Sequence, residues 1–149
     1  MSAIKLCRLI LSVLCLVFII SIVNCYGAKE KAEDFYEQGK KYSSAENSDH
    51  AIYNYSEAIK LNPKLVKAYN NRGVAYVWRK QYDLAIADFN KAIKLDPKNS
   101  KAYNNRAIAY WYKGEINKAR QDVQKAQSLG ISVNPDFLKK IQEQPSSTK

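Results

Sequence analysis

The hexapeptide Lys67-Ala68-Tyr69-Asn70-Asn71-Arg72 returns unchanged 34 residues later as Lys101-Ala102-Tyr103-Asn104-Asn105-Arg106. Its polar members suit recognition through hydrogen bonds and charge. A side-chain amide carries both a donor and an acceptor, so Asn71 and Asn105 can pair with a peptide backbone of any sequence. Lys67 and Lys101 can hold carboxylates. Groups suited to making and breaking bonds are scarce by contrast. His50 is the single histidine, and Cys7, Cys15 and Cys25 all lie in the first 25 residues. The rest of the chain therefore has no disulfide, no thiol nucleophile and no cysteine-based metal site. Its few glycines are isolated, which excludes a Gly-rich phosphate loop. The checklist for an active site returns no catalytic residue, no metal ligand set, no cofactor and no small-molecule substrate.

The elements that position these residues follow from the same period. Ala-Ile-Lys-Leu at 58–61 returns at 92–95. A fixed period of this size signals stacked supersecondary units in place of one globular core. Three registers result, 32–65, 66–99 and 100–133. Phe35, Tyr69 and Tyr103 form an aromatic column, and Gly39, Gly73 and Ala107 a small one. Tyr42, Tyr76 and Tyr110 follow, then Ala51, Ala85 and Ala119, then Tyr55, Phe89 and Val123, then Ala58, Ala92 and Ala126. Phe35, Gly39 and Tyr42 stand at i, i+4 and i+7, one face of a helix. Ala51, Tyr55 and Ala58 repeat that spacing in a second helix. Each unit is thus two antiparallel helices, A and B, and the small residues let the neighbouring backbone approach. Asn62-Pro63 and Asp96-Pro97 end helix B, because the residue before proline avoids the helical region.

These columns resemble the tetratricopeptide repeat, aromatic-x2-Leu-Gly-x2-Tyr…Ala-x3-Phe…Ala…Pro. The resemblance covers residues 32–133 and implies an all-α, right-handed solenoid of three helix-turn-helix units. Arg72 and Arg106 stand where the family usually has Leu, with Gln38 at that column in the first unit. Gly130-Ile131 replaces the closing proline of the third, where Gly130 suits a helix C-cap. Asn134-Pro135-Asp136 is a helix start, and residues 134–144 read as a capping helix that turns Phe137, Leu138 and Ile141 back onto the last B helix. Residues 145–149 form a polar tail expected to be disordered.

Family geometry turns one face of each A helix into a concave groove. In the second unit that face carries Lys67, Asn70, Asn71 and Trp78; in the third it carries Lys101, Asn104, Asn105, Trp111 and Tyr112. The resemblance implies that a peptide lies there, with its backbone on Asn71 and Asn105 and the aromatic side chains as anchors. A carboxylate clamp of the kind found in chaperone-binding members matches only at Asn71 and Lys101. Tyr36, Lys40 and Asn105 occupy its other positions, so a standard clamp is rejected.

The amino-terminal residues differ in kind. Lys5 and Arg8 precede an uncharged run of 15 residues, Leu9 to Val23. As a helix this spans about 22 Å, against about 30 Å for a bilayer core. A basic start and a run of this length match a secretory signal sequence. Residues 1–25 therefore read as a signal peptide or membrane anchor, and 26–31 as a linker. Cleavage near Tyr26 to Ala28, retention as an anchor and lipidation at Cys25 remain as three fates. In each, the repeats cross the membrane and act as an exported, extracytoplasmic domain. Removing residues 1–25 takes the net charge from +10 to +8. The lysines are spread through both helices, which fits a solvated surface better than a partner-binding patch, and export argues against nucleic acid. The expected function is a non-enzymatic scaffold that binds a protein or peptide partner. The alternative is a membrane-tethered assembly subunit of a cell-envelope complex that docks through other faces.

Overall fold

The computed structural model describes residues 3–44 and 46–144; of the side chains before Tyr26 it describes only Leu14 and residues 16–19. The tail at 145–149 and the Cys25 side chain lie outside the described residues. Among those described, seven α-helices follow one another: α1 (Ala3–Lys41), α2 (Ser48–Leu61), α3 (Val66–Trp78), α4 (Tyr82–Leu95), α5 (Ser100–Tyr112), α6 (Ile116–Ser128) and α7 (Pro135–Glu143). The carboxyl-terminal part of α1 pairs with α2, α3 with α4, and α5 with α6. The chain is an all-helical solenoid, as its period predicts. Where a linker is expected over 26–31, the backbone is helical, so α1 runs unbroken through 39 residues into the first repeat. Nothing in that stretch halts a helix: it holds no proline, and Gly27 has no neighbour within 4 Å of where a Cβ would stand.

Each A–B pair is set by one contact. A Cβ added at Gly39 would lie 2.6 Å from the Tyr55 ring, and one at Gly73 would lie 2.6 Å from the Phe89 ring. Both rings are fully buried. In the third pair the smaller Val123 faces α5, and there the small column carries Ala107 within the same buried cluster. The size of the helix B residue thus dictates the helix A residue opposite it.

Between units, the approach is lined with alanine. Ala68 and Ala102 are fully buried, as are Ala75 and Ala109 to within 1%. The same two columns in the first unit hold Asp34 and Lys41, both exposed, and among the described residues no repeat packs against that side of α1. The core is accordingly a chain of small clusters, one at each junction, as a solenoid requires. At the far end, α7 places Ile141, Phe137 and Leu138 against Ala107, Ala119, Val123 and Ala126. Asn134 caps it by accepting from the Asp136 and Phe137 amides at 2.8 and 3.2 Å.

The A–B turns of the second and third units share one geometry. In the third unit the Gly114 and Glu115 amides donate to Trp111 and Tyr110 carbonyls, and Gly114 takes φ +77°. The second unit makes the same bonds with Lys80 at φ 58°, a left-handed conformation that glycine adopts more cheaply.

The arginines at the usual leucine column are each locked into a fork. Arg72 donates to both Asp88 carboxylate oxygens at 2.8 Å and to Ser56 Oγ at 2.9 Å. Arg106 does the same with Asp122 at 2.7 Å, and its third contact is Asn90 Oδ1. Tyr69 and Tyr76 flank the Arg72 guanidinium at 5.8 Å, and Tyr103 and Tyr110 flank that of Arg106. The Asp122 hydrogen bonds hold Arg106 above its ordinary pKa. In the first unit Gln38 and Asn54 occupy the two columns together, so neither charge occurs without the other.

Two stability measurements test this packing. Gly73→Ala should cost about 1–3 kcal/mol in the native background, yet be neutral or stabilising beside Phe89→Val, where the methyl finds the space that Ala107 has. Urea unfolding of the four-member cycle reads this; an equal cost in both backgrounds defeats it. Arg72→Leu should cost about 3 kcal/mol by leaving Asp88 buried without its cation, and Arg72→Leu with Asp88→Leu should recover most of that. A double variant no better than the single one would show that Asp88 is not the source of the loss.

Candidate peptide-binding groove

α1, α3 and α5 lie side by side, and the repeated polar residues project from the surface they share. The arrangement is layered. Lys67, Asn71, Val74 and Trp78 stand at i, i+4, i+7 and i+11 of α3, one helical stripe. Lys101, Asn105, Ile108 and Tyr112 form the same stripe on α5. Each stripe therefore runs from a cation through an amide and an aliphatic side chain to an aromatic one.

The amides bond to one another across the helices. Asn71 Nδ2 donates to the Tyr36 hydroxyl at 3.2 Å, and Asn105 Nδ2 donates to Asn70 Oδ1 at 3.2 Å. A long contact of 3.5 Å joins Asn70 to Asn71. A polar relay thus crosses from α5 to α1. A side-chain amide carries two N–H groups, and each of these bonds uses one of them. Asn104 differs from Asn70: its Oδ1 is buried and has no hydrogen-bond partner among the described residues.

The cations are not equivalent. Lys67 is ion-paired with Glu33 and sits 4.2 Å from the Tyr36 ring centroid. Lys40 is paired with Glu37 at 2.9 Å. Lys101 is exposed in the first turn of α5 and makes no ion pair among the described residues.

Below the amides the surface opens into a hollow of about 200 Å³ between α3, α4 and α5. Val74, Val77, Trp78, Asn105, Ile108 and Tyr112 line it, together with the buried Phe89. Trp78 and Tyr112 are 40% and 52% exposed, so they form its open lip. A second hollow of about 340 Å³ adjoins it between α5 and α7. It shares Ile108 and Tyr112 and adds Trp111, Phe137 and Lys140. Trp111 turns into this joint: its ring meets Phe137 edge-on at 6.1 Å, and its buried Nε1 has no partner among the described residues. Sequence reasoning did not single out Tyr82, whose ring stacks on Tyr112 at 5.2 Å and 4°, nor Phe89 and Lys140 as lining residues. Phe89 is legible only as a core column, and no pattern marks Lys140.

Three family models match the chain: two for the tetratricopeptide repeat over residues 66–99 and 89–121, and one for the TPR repeat over 34–77. Among solved structures, the TPR2B domain of yeast Sti1, in complex with an Hsp70 peptide, is 31% identical. The match covers 76% of this chain and 92% of that one, with a TM-score of 0.67. The first TPR of Spaghetti (RPAP3), bound to the HSP90 peptide SRMEEVD, is 28% identical over 77% of this chain and 93% of its own, with a TM-score of 0.72. The Arabidopsis OM64 TPR domain is 28% identical over 78% and 98%, with a TM-score of 0.74. Human serine/threonine-protein phosphatase 5 is 41% identical over 51 residues, which are 34% of this chain and 10% of that protein. The chain thus spans about a tenth of that curated relative.

A charged cluster joins the end of α5 to the start of α4. Lys113, the C-cap of α5, reaches Asp83 at 2.5 Å and Glu115 at 3.0 Å. Hydrogen bonds to Asp83 first and Glu115 second push its pKa up to about 12 from 10.5. Bonds from Lys118 and then Lys113 lower that of Glu115 below 4.5. A raised ammonium pKa stabilises the fold fully below pH 10.5 and loses that contribution as pH climbs through about 12. A lowered carboxyl pKa stabilises above 4.5 and loses its contribution as pH falls below that value. Asp83→Asn should therefore bring the Lys113 titration, followed by side-chain NMR, back toward 10.5. An unchanged titration would remove Asp83 as its cause.

Proposed function

We propose, because this chain belongs to the tetratricopeptide-repeat family, that it is a non-enzymatic interaction module that holds a peptide segment of a partner protein along the face of α1, α3 and α5. The observation that carries this reading is the polar relay of Asn105, Asn70, Asn71 and Tyr36 directly beside an apolar hollow with an aromatic lip. Backbone-pairing groups next to a side-chain receptacle on one continuous surface are what an extended peptide needs. The Sti1 and Spaghetti domains named above were solved with Hsp70 and HSP90 peptides, which supports a peptide as the class of ligand. The chemistry of the ligand differs here, because Tyr36 and Asn105 stand at clamp positions and the Lys40 cation is already held by Glu37.

The domain acts outside the cytoplasm in this reading. Its support is the sequence of residues 1–25, with Lys5 and Arg8 ahead of the uncharged run. Among the described residues no helix is long and apolar enough to cross a membrane. One observation favours the second reading, a tethered assembly subunit: Leu14, Leu16, Val17, Phe18 and Ile19 are 55–68% exposed on a helix continuous with the first repeat.

Panning a random-peptide library on the full-length protein in mild detergent separates the two. Clones enriched on the native groove should lose about tenfold or more in affinity to the Asn71→Ala/Asn105→Ala variant, at roughly 1 kcal/mol per lost hydrogen bond. Clones that bind both forms equally would place the binding surface elsewhere and favour the tethered subunit. Intact mass of the protein from its native membrane fraction then reports whether the chain is cleaved, acylated at Cys25 or retained whole.

A further inference from the structure

The groove's layers fix what kind of peptide fits, given that a peptide binds there at all. Three facts constrain it. The first is charge: Lys67 and Lys40 are each neutralised by a glutamate, whereas Lys101 makes no ion pair among the described residues. One free cation at the head of one helix calls for one carboxylate. The second is the order of the α5 stripe. Lys101 and Ile108 are 7 residues apart on one face, about 10.5 Å along the axis at ~1.5 Å per residue. The third is the hollow itself, about 200 Å³, walled by Val74, Val77 and Ile108 and rimmed by Trp78 and Tyr112. That is room for one large apolar side chain.

We propose that the furrow between α3 and α5 takes an internal peptide segment lying along the helices, with an Asp or Glu side chain on Lys101 and a large aliphatic or aromatic side chain in the Val74–Ile108 hollow. A ligand chain in the polyproline II form advances about 3.1 Å per residue and returns to the same face every three residues, so side chains three apart meet both subsites. In a strand, which alternates faces, they lie four apart with the carboxylate reaching back. The amides of Asn71 and Asn105 stand between the two subsites and meet the intervening backbone. The source of the carboxylate is a side chain and not a chain terminus. A carboxylate clamp holds a chain terminus with several converging cations, and here the uncharged Tyr36 and Asn105 hold two of the positions that would supply them.

The test uses full-length protein in detergent micelles and synthetic peptides acetylated and amidated at their ends. Each carries one Glu and one Leu in a serine background, at separations of one to six residues. Binding is read by NMR shift changes of the Asn105 side-chain amide and the Trp78 indole. Affinity should peak at a separation of three or four. Glu→Gln in the peptide should weaken it about threefold to fivefold, as for an exposed ion pair. Leu→Ala should weaken it about tenfold or more. Lys101→Ala, at an exposed position that does not threaten the fold, should erase the difference between Glu and Gln peptides while keeping that between Leu and Ala. High salt should mimic Lys101→Ala. The proposal is overturned if separation has no effect, if Gln binds as well as Glu, or if only peptides with a free carboxyl terminus bind. Should none of these peptides bind while library clones still depend on Asn71 and Asn105, this assignment fails and the groove reading stands. If the clones also ignore Asn71 and Asn105, the groove reading falls with it.

Discussion

Everything in this chain rests on how closely helix A lies against helix B. At Gly39 and Gly73 the backbone of one helix sits on the ring of the other, with no room for a methyl group. That contact sets the distance between the two helices, and the distance sets where the next unit can stack. Its consequence reaches the groove directly. Phe89, fixed by Gly73 on one side, lines the hollow on the other. A shift of the ring to relieve a larger residue at 73 would move the wall of the candidate site. The third unit solves the same problem with Ala107 and Val123, which shows that the constraint is on combined volume and not on glycine as such.

The arginine–aspartate forks add a second layer of order. A buried ion pair brings little net stability, because desolvating both charges offsets their attraction. What the fork supplies is direction. Arg72 binds Asp88 in its own unit and Ser56 in the unit before, so one guanidinium ties an A helix to two B helices. Arg106 repeats this with Asp122 and Asn90. A leucine at that column would pack equally well in several rotations, whereas a planar fork accepts one. The stripes of α3 and α5 are thereby held in register, cation beside cation and amide beside amide. The first unit, with Gln38 and Asn54, lacks the device, and its A helix does not carry the stripe either.

The architecture was legible in the sequence because it is periodic. Columns 34 residues apart report which positions meet, and the steric logic of small against aromatic can be read from residue types alone. The same columns also held a signal that went unread: Asp34 and Lys41, where later units have buried alanines, mark the open side of the first repeat. What periodicity does not report is how a side chain is spent. Asn71 and Asn105 occupy equivalent columns, yet one donates to a tyrosine hydroxyl and the other to an asparagine, because the first unit offers Tyr36 where the second offers Asn70. Trp78 and Trp111 both read as groove aromatics, yet Trp111 turns toward Phe137 of α7, an element outside the repeat. The hollow itself is formed by three helices, so no single segment could reveal it. Nor did composition foresee that α1 would continue through 26–31, since a change in hydropathy marks a change of environment and not a break in the backbone.

The asymmetry of the groove follows from these same facts. Moving from α1 to α5, the surface changes from paired charges to an unpaired cation and apolar walls. At the first unit, Glu33 and Glu37 satisfy the neighbouring lysines, Tyr36 is buried, and Ser43 and Ser44 offer no wall. A ligand there would have to break existing ion pairs before forming its own. Between α3 and α5 it would meet the Lys101 ammonium, which makes no ion pair among the described residues, the Asn105 amide and the apolar wall of the hollow. The features suited to a ligand therefore concentrate in the second and third units, while the first continues into the long helix α1. The hexapeptide recurs unchanged only in α3 and α5, the two A helices that line the candidate hollow.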